Sequence, residues 1–219
     1  MIIKIKMADD KEVEGISIKA TLLGSSGVGK TCIIRRYTEN DFDASTTSTP
    51  GASYSQKLLN MNGKQIQLDV WDTAGQEKYR SLGRHFYKDA YIVCLVYDIT
   101  SKESFEDLKN NWYNDLKTYG EKFNITAVVG NKSDMYEKEE VKEEDARAFA
   151  QSINSTFFLV SAKNGDNIDL LFNTLVKQYL GPEFTENIRQ TISDKGVTKK
   201  IQSDKKEAKK EKKKKGGFC

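Results

Sequence analysis

The sequence predicts an α/β fold: a mostly parallel six-stranded sheet with one antiparallel edge strand and helices on both faces. Three observations lead there. From Gly15 to Leu180, short apolar runs of strand length alternate with stretches of helical period, the pattern of parallel strands joined by right-handed helical crossovers. An Asn62-Gly63 pair between two short runs marks one early hairpin. A glycine-rich loop, Gly24 to Thr31, lies directly between the first strand and the first helix.

Each element follows in order. Residues 1–14 are mixed polar with a small apolar start and read as a flexible N-terminal arm. Ile16 to Leu23 is a strand, and Thr31 to Tyr37 a helix opening on Gly29. Tyr54 to Leu59 and Gln65 to Val70 are the hairpin strands. Tyr91 to Tyr97, Ile125 to Val129 and Thr156 to Val160 are short apolar runs, as strands buried on both faces should be. Phe105, Leu108, Trp112, Leu116 and Tyr119 step by 3, 4, 4 and 3, and Ile168 to Leu180 carries a wide apolar stripe; both predict helices packed by one face. Glu139 to Ile153 is a weaker helix with acids in its first turns, where the dipole favours them. Gly181-Pro182 ends the last helix. Residues 181–219 then turn to Lys, Ser, Asp and Thr, too little apolar surface to offset ordering entropy, so a disordered Lys-rich tail is expected.

Composition narrows the function. At 219 residues, 37% hydrophobic and 31% charged, the chain has enough material for one domain with a sizeable core. Tyr91 to Tyr97 is its longest apolar run, too short to span a bilayer, and the start carries no signal-peptide core, so an intracellular chain is expected. His85 is the lone histidine, which excludes a His-pair zinc site, and Cys32, Cys94 and Cys219 form neither a CxxC nor an even disulfide framework. The net charge of +3 is divided: residues 195–219 hold 11 Lys against Asp204, Glu207 and Glu211, a net of +8, which leaves −5 for residues 1–194.

Gly24-Ser25-Ser26-Gly27-Val28-Gly29-Lys30-Thr31 is G-x-x-x-x-G-K-T between a strand and a helix. Such a loop curls so that successive backbone N–H groups, from Ser26 through Cys32, face phosphate oxygens, and the helix start adds positive potential. The motif makes the fold class that of a P-loop NTPase, in which Lys30 bridges the β- and γ-phosphates and the Thr31 hydroxyl holds Mg²⁺.

Three further segments select the nucleotide: Trp71-Asp72-Thr73-Ala74-Gly75-Gln76-Glu77, Asn131-Lys132-Ser133-Asp134 and Ser161-Ala162-Lys163. A carboxylate at Asp134 can accept from both the ring N–H and the exocyclic amine of guanine, a donor pair that adenine lacks; the wrong base would leave the charge unpaired. In order and spacing, these motifs resemble the Ras superfamily of small GTPases over roughly residues 15–180, which become the expected GTPase domain. The resemblance implies that Asn131 braces the loops and reaches the base, that Lys132 lies on its ring, that Ala162 offers its N–H to the guanine oxygen, and that Ser161, Lys163 and Phe42 complete the site. It also implies that Asp72 holds Mg²⁺ through water, that Gly75 binds the γ-phosphate, and that Gln76 orients the attacking water. Ser26 stands where Ras has glycine. No arginine in the motifs is placed as an internal finger, so slow intrinsic hydrolysis with an arginine supplied in trans is implied.

Ser45 to Tyr54 resembles the first switch, with Thr49 as the residue that reaches both Mg²⁺ and the γ-phosphate in the GTP state only. Pro50 departs from the usual aliphatic residue and pushes Thr49 toward extended backbone. Gly51-Ala52-Ser53-Tyr54, Lys78-Tyr79-Arg80-Ser81-Leu82, Phe86-Tyr87-Lys88-Asp89-Ala90 and Ser104-Phe105 look like the Rab family, leaning to its early-endosomal branch. That implies a GTP/GDP switch in vesicular traffic, monomeric, working with an exchange factor, a GTPase-activating protein, a GDP-dissociation inhibitor or escort protein, and effectors.

Lys212 to Lys215 followed by Gly216-Gly217-Phe218-Cys219 resembles a prenylation tail, although it departs from C-a-a-X and carries one cysteine where the family usually has two. A lipid on Cys219 and the lysines together would make a reversible anchor on an anionic membrane, on the cytoplasmic face of intracellular, endosomal membranes, cycling with the cytosol. Two other readings have less support. A metabolic P-loop kinase needs a lid insertion that the sequence lacks, and nucleic-acid binding by the tail would need interleaved aromatics, so no nucleic-acid partner is expected.

Overall fold

The computed structural model describes residues 2–6, 12–45, 53–73, 89–120 and 125–181. Its sheet is built from β1 (Ile2–Lys6), β2 (Glu12–Leu23), β3 (Ser53–Met61), β4 (Lys64–Asp72), β5 (Ile92–Asp98), β6 (Ile125–Asn131) and β7 (Thr156–Leu159). The strand order is β3-β4-β2-β5-β6-β7, with β1 paired to β2. The pairs β2/β4, β2/β5, β5/β6 and β6/β7 are parallel, and β3/β4 antiparallel. At the hairpin, Asn62 and Gly63 both have positive φ, 52° and 77°, which a two-residue turn matched to strand twist requires.

Among the described residues the sheet has seven strands where six were expected, and two antiparallel pairs where one was. β1 runs antiparallel to the first residues of β2, with Ile5 opposite Val13 and Ile3 opposite Gly15. Residues 2–6 and 12–14 are therefore strand and not a loose arm. The reason is local packing: Ile5 is buried, and its Cδ1 occupies the space that a Cβ on Gly15 would need, 2.2 Å from that position. A five-residue strand that alternates Ile with Lys is a weak signal beside the longer apolar runs.

Helix α1 (Lys30–Glu39) and helix α5 (Ile168–Leu180) meet where the Tyr37 and Phe172 rings stack at 4.0 Å. Separated from β5 by three residues, the α2 helix (Lys102–Asp107), a π-helical turn (Leu108–Trp112) and helix α3 (Tyr113–Tyr119) run on from one another without a break. With helix α4 (Glu143–Ser152) they close a core of Val93, Leu95, Tyr97, Phe105, Leu108, Trp112 and Ala146. Every residue of β5 is buried. Because strand side chains alternate, the odd residues of β5 serve this core and the even ones face the other way. The 3-4-4-3 spacing predicted one continuous α-helix over Phe105–Tyr119. The π-turn interrupts it where the Trp112 indole donates to the Asp107 carboxylate at 2.8 Å. A division of the chain falls between Tyr179 and Leu180.

Candidate nucleotide-binding site

Open α/β sheets place ligands at the carboxyl ends of their strands, and here five parallel strands end at one cleft. Leu23 leads into the glycine loop, β4 ends on Asp72, β5 on Asp98, β6 on Asn131, and β7 leads through Val160 to Ser161. The cleft holds a cavity of about 340 Å³, within the range of small-molecule sites. Ser26, Gly27, Gly29, Lys30, Thr31, Cys32, Phe42, Asn131, Lys132, Asp134, Ala162 and Lys163 all line it, as the sequence motifs anticipate. Val28, Asp72 and Ser161 stand one layer back, each nearly or wholly buried. Thr49, Gly75, Gln76 and Cys219 lie outside the described residues.

At one end, Lys30 curls back into the loop that precedes it. Its ammonium donates to the carbonyls of Gly24 at 2.8 Å and Ser25 at 3.0 Å, and only 5% of the residue is exposed. Burial pulls its pKa down to about 8, opposed by the nearby Asp72 carboxylate. A desolvated amine that leans toward neutrality is suited to an incoming polyanion, which would restore the charged form. Beside it, Thr31 Oγ1 donates to Asp72 Oδ2 at 2.6 Å. A hydroxyl and a carboxylate are hard oxygen donors of the kind Mg²⁺ takes together with phosphate oxygens, so the residues present fit that ion. Thr73 anchors the end of β4 by donating to the Leu22 carbonyl at 2.7 Å.

At the other end, Asn131 joins two loops. Its Nδ2 donates to the Val28 carbonyl at 2.8 Å and its Oδ1 accepts from the Ala162 amide at 3.2 Å. This approach dictates the residue at position 29: φ there is +93°, and a Cβ would lie 2.4 Å from Asn131 Nδ2, so only glycine fits. Asp134 accepts from the Ser161 hydroxyl at 2.6 Å and faces Lys163 at 3.8 Å, with 9% of its side chain exposed. Lys132, at φ 68°, pairs with Asp98 at 2.5 Å, and Asp98 also accepts from the amide and hydroxyl of Thr100.

Several lining and supporting residues escaped the sequence reading. Asp43, Ala44 and Met135 also line the cavity, as does Thr73, which the motif includes without a role of its own; the first three lie beside expected site or switch residues in the chain, which is the signal that could have found them. Asp98 steadies Lys132, and Asp107 accepts the Ser25 hydroxyl. Arg36 donates to the Ala162 and Lys163 carbonyls, both at 2.9 Å.

Compared with known families, residues 19–181 match the Ras family. Among curated relatives, Ras-related protein Rab-26 of Rattus norvegicus is 38% identical over 164 residues, 74% of this chain and 63% of that protein's length. Ras-related protein Rab-30 of Homo sapiens is 39% identical over 154 residues, 70% of this chain and 75% of its own. Ras-related protein Rab-21 of Geodia cydonium is 41% identical over 166 residues, 75% and 72% of the two chains. The match therefore spans less than two thirds of the Rab-26 relative and more than two thirds of the other two. The family match covers the whole cleft and the relatives are Rab proteins: the chain belongs to the Ras family, as a Rab-type small GTPase that binds GTP and GDP with Mg²⁺, hydrolyses GTP to GDP and acts in membrane traffic.

Proposed function

We propose that the cleft reads guanine at its Asp134 end and phosphate at its Lys30 end, and that a γ-phosphate-dependent switch on endosomal membranes follows from that reading. The observation that carries it is the placement of Asp134, whose carboxylate faces the cavity and is held by Ser161 and Lys163. An acceptor fixed in this way suits two donors presented side by side by the base. In this reading the backbone from Ser26 through Cys32 takes the phosphates, Asn131, Lys132, Ala162, Lys163 and Phe42 enclose the purine, and Ser161 orients Asp134. Thr31, Thr49 and, through water, Asp72 hold Mg²⁺, which when bound neutralises charge that develops on the phosphates. Gly75 holds the γ-phosphate and Gln76 orients the attacking water. A GTPase-activating protein supplies an arginine in trans.

Exchange factors, activating proteins and effectors act on the family generally. To these the proposal adds a GDP-dissociation inhibitor or escort protein and a tail that binds anionic membrane through its lysines and a lipid on Cys219. It also sets residues 15–180 as a monomeric GTPase domain and residues 181–219 as a tether. The relatives named Rab-21 and Rab-22A, the latter 41% identical over 155 residues, favour an early-endosomal address.

The experiment is a base competition. Asp134→Asn replaces one acceptor oxygen by an NH₂ donor, so its preference should move from guanine to xanthine nucleotides, whose 2-position carries an oxygen. A variant that keeps its preference for GDP over XDP, or a wild-type chain that binds ADP as tightly as GDP, would refute the reading. Fractionation of cells carrying Cys219→Ser tests the tether: a variant that stays on membranes refutes the lipid.

A further inference from the structure

We propose that Arg36, outside all four sequence motifs, is the positioning residue for the base-reading loop and sets how long a guanine nucleotide stays bound. The proposal rests on the guanine reading given above. Arg36 lies in the last full turn of α1 and does not line the cavity. Its guanidinium reaches across 126 residues of sequence: Nε donates to the Ala162 carbonyl at 2.9 Å, and Nη2 to the Lys163 carbonyl at 2.9 Å. The loop is thereby held from two sides, since the Ala162 amide is fixed by Asn131 at 3.2 Å and its carbonyl by Arg36. The Ala162 N–H is the donor proposed to meet the guanine oxygen; it would exchange its long 3.2 Å bond to Asn131 for the base, while the Arg36 bond to the Ala162 carbonyl keeps the peptide in place during that exchange.

The same guanidinium holds a second wall. Nη1 donates to Asn40 O at 2.8 Å and to its side-chain oxygen at 3.2 Å. Asn40 ends α1 in the left-handed region, φ 54°, two residues before Phe42. The planar fork thus ties the base loop to the segment that carries Phe42. A lysine, with one ammonium at the end of a flexible stem, cannot reproduce that geometry. The neighbouring Arg35 is different work on the same helix: it faces the side chains of Glu39, Asp41 and Asp43.

The test measures dissociation of labelled GDP and GTP from the full chain in Mg²⁺, together with single-turnover hydrolysis. Arg36→Gln should accelerate release of GDP and GTP by the same factor, about tenfold or more for two lost charge-assisted bonds, with hydrolysis of bound GTP unchanged. Arg36→Lys should fall between wild type and Arg36→Gln. Arg147→Gln, which removes a surface arginine paired with Glu143, serves as the comparator and should leave release at the wild-type rate. The proposal is overturned by wild-type release rates in Arg36→Gln, by full rescue with Lys, by an effect on GTP but not GDP, or by equal acceleration in Arg147→Gln. If Arg36→Gln does not fold, Arg36→Lys is judged by the same criteria. Asp134→Asn run alongside separates the two layers: a guanine-to-xanthine shift with no effect at Arg36 refutes the positioning role alone, and no shift at Asp134 refutes the reading beneath it.

Discussion

Replacing Asn131 by alanine removes a side chain that is 2% exposed and bonds the phosphate loop and the base loop together. The Val28 carbonyl and the Ala162 amide then lose their partners in residues that are 1% and 3% exposed. A buried polar group left unpaired costs about 1–3 kcal/mol. With water entering from the adjoining cavity, the pair should cost about 2–4 kcal/mol, or roughly 5–15 °C in Tm for a domain of this size. Gly29 supplies an internal check. Gly29→Ala alone suffers both a positive φ and the 2.4 Å approach to Asn131 Nδ2; in the Asn131→Ala background the approach disappears and the φ penalty stays. The double variant should therefore be more stable than the sum of the singles predicts, by about 1–2 kcal/mol. Thermal melts at several GDP concentrations allow the ligand's contribution to be subtracted. A loss below about 1 kcal/mol, or strictly additive singles, would refute the bridging argument.

In its proposed phosphate role, Lys30 should make nucleotide affinity depend on pH. Its pKa in the nucleotide-free domain is about 8, held down by burial, and phosphate binding should raise it, so binding would take up a proton wherever Lys30 starts neutral. Affinity for GDP should fall as pH rises through 8, by about twofold at pH 8 and about fourfold at pH 8.5, measured by titration with fluorescent GDP; a flat profile would contradict it. The sign for stability is opposite: the unfolded chain binds more protons between pH 8 and 10.5, so this residue makes the nucleotide-free domain more stable as pH rises through that window. Further along α1, Tyr37 is 2% exposed, stacks on Phe172 at 4.0 Å and carries Lys57 over its ring at 3.8 Å. Tyr37→Ala should cost about 3–5 kcal/mol in urea unfolding; a cost near zero would mean that α1 is not held to α5 through this pair.

The cleft was legible in the sequence wherever chemistry demands a residue type at a fixed spacing. Lys30, Thr31, Asn131 and Asp134 belong to short segments whose spacing relative to strand ends is the one that holding a phosphate and a base would demand, and all four line one cavity. The parallel strands were legible for a different reason: burial on both faces produces continuous apolar runs such as Ile92 to Tyr97. What escaped is long-range partnership. Nothing local marks Arg36 as the partner of carbonyls 126 and 127 positions away, or Asp107 as the acceptor for Ser25, 82 positions earlier. β1 escaped because its strand character depends on Ile5 filling the space above Gly15, a contact that periodicity cannot express. The π-turn escaped because apolar spacing of 3 and 4 is compatible with an uninterrupted α-helix, and the departure goes with a polar bond from Trp112 to Asp107.

Because the cleft draws one contribution from each of five strand ends, its parts emerge from the ribosome in a fixed order. The phosphate loop comes first, at residues 24–31, and the Ser161–Lys163 turn last. β2 sits in the middle of the sheet, between β4 and β5, while β7 is at the far edge. A nascent chain that ends before Ser161 has its phosphate-holding loop and Asp134 but lacks the hydroxyl that orients that carboxylate and the amide that faces Asn131. In the guanine reading proposed above, a nascent chain that stops there should be able to hold phosphate before it can discriminate between bases.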